Sequence, residues 1–244
     1  MKFKRNISAG LLMLGSTEIF NPKKEYYGKR VAIVGAAESA FQQRNGSFID
    51  EFDIVVRINK GALVWSKEKA PFIGSKFTYL YHSFYENEFS GGGHINWQYF
   101  DELGIQKVIN PNFTGKGLQA HFNYFKRNFH NRRTYVLKRK SYKELSTDFK
   151  NFIPTVGFSA LCSVLQAQCE EVFITGFTFF KTPYADGYRP GLENMEDNKE
   201  HLKTQGLHNP DLEFKKFKEV FYQSPSKKIV VDRALSLLME TETL

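Results

Sequence analysis

Short apolar runs, each closed by glycine or a polar turn, recur along the chain. Residues 31–35, 52–58, 76–81, 105–109, 134–137, 172–175 and 228–231 have the length, the β-branched or aromatic content and the abrupt ends of buried strands. Residues 38–44, 118–129 and 158–168 read as helices. In the second of these Leu118, Phe122, Phe125 and Phe129 stand at helical spacing, which predicts a stripe packed on a sheet. A further helix starts at Asn209-Pro210-Asp211 and carries Phe214, Phe217, Val220 and Phe221 inward, and Asp232 caps a last one. Strands alternating with helices, without repeats or low-complexity stretches, predict an α/β fold with a doubly wound, mainly parallel sheet. The chain reads as a single domain over residues 31–244 behind a leading segment, 1–30.

In such a sheet, ligands bind at the carboxyl ends of the strands. Four places there carry candidate chemistry. Gly35 and Ala36 follow the first strand, and the glycine lets backbone come close to a ligand. Arg57 and Asn59 end the second strand, where both would project into the same crevice. Thr155-Val156-Gly157 opens a helix, whose free N–H groups and positive dipole end suit a phosphate; an ordinary crossover would look the same. The loop 181–191 carries Tyr184 and Tyr188, whose hydroxyls could serve a leaving phosphate or simply pack. Neither G-x-G-x-x-G nor G-x-x-x-x-G-K-[ST] occurs, so the dinucleotide fingerprint and the NTPase phosphate loop are both missing. Gly91-Gly92-Gly93 predicts a flexible connection or a lid.

Composition changes the picture modestly. With 34 Lys+Arg against 26 Asp+Glu, a net charge of +8 favours anionic partners without choosing among them. Arg132, Arg133, Lys138, Arg139, Lys140 and Lys143 form either a solvated rim or a seat for anionic lipid or an acidic glycan. Glu193, Glu196 and Asp197 read as a solvated acidic patch. Cys162 and Cys169 offer neither a disulfide framework nor a zinc pattern, which points to a reducing compartment. The apolar stretch 7–14 is too short to span a bilayer. It reads as partly buried, with contact to a membrane surface as the alternative.

Three blocks of residues carry a more specific signal. The first is Val34-Gly35, then Asn45-Gly46-x-x-Ile49-Asp50, then Asp53-x-Val55-x-Arg57-x-Asn59. The second is Pro154-Thr155-x-Gly157, an apolar helix, Cys169-Glu170-Glu171-Val172, and a strand ending Gly176-Phe177. The third is His208 with Glu213, an H-x-x-x-x-E. In this order they resemble the large, small and very short sialyl motifs of glycosyltransferase family 29, the sialyltransferases.

The resemblance implies a GT-A-like Rossmann fold and an inverting, metal-independent transfer. The donor would be a CMP-activated acidic nine-carbon sugar and the acceptor a hydroxyl of a glycan or glycolipid. It assigns CMP to Gly35, Ala36, Asn59, Thr155, Val156 and Gly157, the catalytic base to His208, and a substrate-site place to Glu213. No cofactor and no metal are implied, and no D-x-D sequence is present to hold a metal-bridged diphosphate.

Three departures stand out. Ala36 occupies the family's asparagine position, the cysteine before the first strand is absent, and no His-Tyr-Tyr motif precedes His208, where His201 is the nearby candidate. The tyrosine-bearing loop is similar to that of bacterial enzymes of glycosyltransferase family 42. The chain thus reads as a bacterial-type enzyme acting on lipooligosaccharide or capsule, cytoplasmic or peripheral at the inner membrane. CMP-Kdo is the rival donor. A non-catalytic nucleotide- or nucleic-acid-binding protein is the alternative from another class, and steep salt dependence of binding would mark the nucleic-acid form of it. No standard nucleic-acid module is visible, so no nucleic-acid partner is expected.

Overall fold

The computed structural model describes residues 2–87, 91–189, 191 and 194–241. Its strands are β1 (Thr17–Phe20), β2 (Arg30–Val34), β3 (Ile54–Ile58), β4 (Tyr79–Tyr81), β5 (Lys107–Asn110), β6 (Thr134–Leu137), β7 (Glu171–Thr175) and β8 (Ile229–Val231). They form one sheet in the order β1-β6-β5-β4-β3-β2-β7-β8, and every ladder is parallel. The chain runs outward from β2 through β3, β4, β5 and β6, then returns to place β7 on the other flank of β2. That reversal puts the switch point between β2 and β7, where open sheets of this type bind ligands.

Both faces of the sheet are covered, which is why the strands read as continuous apolar runs. Val31, Ile33, Ile54, Val56 and Ile58 point into one core with the helix Val156–Leu165, while Ala32, Val34 and Val55 point into another with Ile49, Phe52 and Phe173. A third cluster beneath β4 and β5 gathers Leu80, Val108, Phe84, Tyr124 and Phe125.

Several elements differ from the sequence reading. A helix, Lys2–Ser16, and the edge strand β1 occupy the leading segment, and β1 pairs with β6 in register Thr17 to Thr134. The 38–44 helix contracts to a single 3₁₀ turn, Glu38–Phe41. The loop after β7 holds it from outside, with the Glu38 N–H donating to the Pro183 carbonyl at 3.1 Å. The Asn45-Gly46 stop instead begins a short helix, Gly46–Asp50.

The helix Gly115–Arg127 buries Gly117, His121, Tyr124 and Phe125, while Phe129 lies past its end and is 52% exposed. Arg57 does not reach the crevice. It is buried on the far side, where Nη2 donates to the carbonyls of Gly74 and Lys76 and the guanidinium lies 4.5 Å from the Phe77 ring. The triple glycine is a packed connection: the Gly92 N–H donates to the Tyr85 carbonyl, and a Cβ on Gly92 would fall 2.1 Å from His82 Nε2. Glu196 and Asp197 fill the first turn of a helix, Met195–Gln205, capped by Asn194. Glu193 lies outside the described residues.

Gly35 at the end of β2 makes a close backbone contact of its own. A Cβ there would sit 2.1 Å from the Gly176 carbonyl oxygen, because the backbone turns leaving β2 and β7 touch. Gly35→Ala should therefore destabilise the fold by about 1–3 kcal/mol, the range of overpacked substitutions. Gly15→Ala, in a helix with no atom within 4 Å of the added methyl, should instead stabilise by up to about 1 kcal/mol. Urea unfolding of the two variants checks the contrast.

Candidate functional site

A cavity of about 860 Å³ opens at the carboxyl ends of the strands. Gly35, Ala36, Asn59, Thr155, Val156, Gly157, Tyr184, Tyr188, His208 and Glu213 all line it, though separated by up to 178 positions in sequence.

Hydrogen bonds fasten the segment before the helix Val156–Leu165 to the segment before the helix Pro210–Tyr222. The Ile153 N–H donates to the Leu207 carbonyl at 2.8 Å, and His208 Nδ1 lies 2.6 Å from the Ile153 carbonyl. A carbonyl only accepts, so Nδ1 carries the proton and Nε2 keeps its lone pair. Burial, and secondarily the charge of Arg189, holds His208 below the ordinary imidazole pKa. The ring is therefore neutral near pH 7, which is the state a general base requires.

Glu213 makes the other connection. Its Oε1 accepts the Thr155 N–H and its Oε2 the Thr155 hydroxyl, each at 2.7 Å, while Thr155 Oγ1 accepts the Phe158 N–H as the helix cap. The carboxyl is 2% exposed, and burial pushes its pKa up to about 8 against the lowering effect of the two Thr155 bonds. Two N–H groups of the helix start are thus spent within the protein. Those of Val156 and Gly157 take no hydrogen bond among the described residues and remain for a ligand.

The loop after β7 is strapped across the end of β2: the Ala185 N–H donates to the Ala36 carbonyl at 2.8 Å, and Ala37 bridges Tyr184. The rings of Tyr184 and Tyr188 stack at 5.3 Å. The Tyr188 hydroxyl donates to the Ile58 carbonyl at 3.3 Å, while burial pushes the pKa of Tyr184 up to about 12 and keeps its hydroxyl protonated. Asn59 adopts a left-handed backbone (φ 46°), a conformation asparagine tolerates, and its Oδ1 accepts the Ser83 N–H at 3.1 Å.

The sequence reading missed two contributors. Arg189 lies 5.2 Å from the Tyr184 ring, and its buried Nε has no hydrogen-bond partner. Lys116, beside Gly115 and Gly117 in the capped first turn of the helix Gly115–Arg127, lines the opposite wall with Asn112, Gln119 and Asn123. Thr114-Gly115-Lys116-Gly117 was a legible helix start. Arg189 had no signal beyond its tyrosine neighbours. Glu213 is the one acidic side chain among the described lining residues, and its raised pKa keeps it largely protonated at neutral pH, so the cavity presents cations to its contents.

The sequence profile of glycosyltransferase family 29 (sialyltransferase) matches residues 5–224. The chain belongs to this family. Among solved structures a mammalian sialyltransferase superposes with a TM-score of 0.53 at 16% identity, over 92% of this chain and 78% of that one. The mammalian sialyltransferase in complex with Gal-β1-3GalNAc-ortho-nitrophenol matches with the same values. At that identity the likeness is one of fold. No curated protein matches the chain. In this sialyltransferase-like glycosyltransferase both cysteines are free and buried.

The raised Glu213 pKa sets a pH dependence. Between about 4.5, its unperturbed value, and about 8, the native state binds more protons than the unfolded chain. Its contribution is therefore fully present below pH 4.5, lost as pH rises through 8, and on the order of a few kcal/mol in total. Thermal unfolding from pH 5 to 9 should show stability falling across that window, and Glu213→Gln should flatten the profile.

Proposed function

We propose that the chain transfers sialic acid, or a related nonulosonic acid, from its CMP-activated form to a hydroxyl of an acceptor glycan, without a metal and with inversion. The observation that carries this reading is the neutral His208, tautomer fixed by the Ile153 carbonyl, in a cavity whose charged groups at neutral pH are Lys116 and Arg189 among the described lining residues. In the proposed step the acceptor O–H gives its proton to His208 Nε2 as the oxygen attacks the anomeric carbon. The bond from that carbon to the phosphate oxygen breaks, and CMP leaves as an anion. The charge developing on the phosphate suits the Val156 and Gly157 N–H groups, the Tyr184 hydroxyl and the Arg189 guanidinium. Glu213 acts at one remove, through Thr155.

On this reading the wall formed by Asn112, Lys116, Gln119 and Asn123 receives the acceptor. The similar mammalian sialyltransferase is in complex with Gal-β1-3GalNAc-ortho-nitrophenol, which supports a glycan as the acceptor; the acceptor class we propose is lipooligosaccharide or capsule, reached from the cytoplasm. CMP-Kdo, carrying the same nucleotide on another acidic sugar, is the competing donor.

CMP release should be followed with CMP-N-acetylneuraminate and CMP-Kdo in parallel. One donor should turn over, and His208→Ala should slow it by roughly 10²–10⁴-fold while still binding CMP. Failure of the wild-type protein to bind or cleave either donor would remove the transferase reading. Calorimetry separates a second point: Arg189→Gln should weaken CMP binding by roughly 10- to 100-fold, the range for a charged hydrogen bond, and leave cytidine unaffected. Equal loss of both would place Arg189 in the scaffold instead.

A further inference from the structure

The helix Lys2–Ser16 is apolar on two opposite sides, and the protein covers one of them. On the inner side Ala9 is fully buried, and Leu12 and Met13 pack against the cluster that holds Phe122, Tyr124 and Phe125. Arg5 pins the start of the helix, donating from Nε and Nη2 to the Lys126 carbonyl at 2.9 and 2.7 Å. The element is therefore fastened along its length. On the outer side Phe3, Ile7, Leu11 and Leu14 are 77%, 48%, 66% and 81% exposed. At 3.6 residues per turn these four fall within an arc of roughly 80°, opposite Ala9. Scattered exposed hydrophobes need no explanation, whereas a continuous ridge of four does.

We infer that this ridge seats the protein on an anionic lipid surface, the helix lying in the plane of the interface with Phe3, Ile7, Leu11 and Leu14 among the acyl chains. Charge supports this occupant. The helix sequence holds three basic residues and no acidic one, and at 100° per residue the exposed Lys4 falls about 20° beyond Leu11 at the edge of the ridge, while Arg5 lies on the opposite side, fastened to the Lys126 carbonyl. Cations flanking an apolar helical face are the combination that binds anionic headgroups. A second copy of the chain fits less well. A stable dimer buries about 1,200–2,000 Å² in total, and four side chains on one convex helix supply only a fraction of that. Pairing two acid-free helices also brings no opposite charge to the cations. Among the described residues no helix is long and apolar enough to cross a membrane, so attachment by this ridge would be to one leaflet.

The inference does not rest on the transferase reading, and its test requires no donor or acceptor. The full chain and its Ile7→Asp/Leu11→Asp variant are floated with vesicles of mixed phosphatidylglycerol and phosphatidylcholine, and with phosphatidylcholine alone. Both positions are solvent-exposed, so the variant should unfold at the wild-type temperature, which circular dichroism verifies. Wild type should partition onto the mixed vesicles, far less onto phosphatidylcholine, and the double substitution should lower partitioning by roughly tenfold or more. Absence of wild-type binding to the mixed vesicles overturns the inference, as does binding that the substitutions leave unchanged. Concentration-dependent self-association in lipid-free solution, abolished by the same substitutions, also overturns it and assigns the ridge to a second copy.

Discussion

The two hydrogen bonds from Thr155 to Glu213 hold the candidate site in its arrangement. They join a turn that follows the long crossover after β6 to a helix 58 residues later, and everything the cavity offers on that side hangs from them. Thr155 caps the helix whose first free N–H groups face the cavity, and the Ile153 carbonyl two residues earlier fixes the His208 tautomer. The His208 ring and the Val156 and Gly157 N–H groups, the base and the anion seat of the proposed reading, are thereby set relative to each other by backbone rather than by flexible side chains. Such preorganisation is what a displacement reaction needs from its surroundings.

Burial of Glu213 also governs the electrostatics. An ionised carboxylate in this place would offset one of the cations that face the cavity. Raised to about 8, it stays largely neutral and leaves Arg189 and Lys116 unopposed among the described lining residues. The arrangement costs stability as the pH rises, because the carboxyl ionises at higher pH in the native state than in the unfolded chain.

Much of this was legible in the sequence. Parallel strands buried on both faces are written as short apolar runs with abrupt ends, and β2, β3 and β7 stood out as such runs. Residues with a backbone task were legible too: Asn209 caps its helix, Asp232 caps the last one, and Thr155 caps the middle one. Elements whose character depends on distant partners were not. β1 is a short edge strand, two of whose four residues are exposed, so nothing in Thr17–Phe20 announces a strand until β6 lies beside it. Arg57 looked like a crevice residue because strand ends are where ligands bind, yet carbonyls from the 74–76 turn and the Phe77 ring draw it to the other side. Arg189 emerges only when the loop after β7 folds over the end of β2, and Gly35 proved to serve a backbone contact with Gly176.

The two walls of the cavity are fastened separately. One is the Ile153–Thr155 and Leu207–Glu213 pair, bonded to itself; the other is the turn and helix that follow β5, held by Asn110 through Gly117 and by Asn112 through Thr114. Under the proposed reading this makes the protein modular within a single sheet. Related chains could diversify what they decorate by exchanging residues around Asn112 and Gln119, while the wall carrying the nucleotide and the base stays under its own constraint. The same partition suits engineering, since a library confined to the second wall would sample new acceptors without disturbing the groups that activate them.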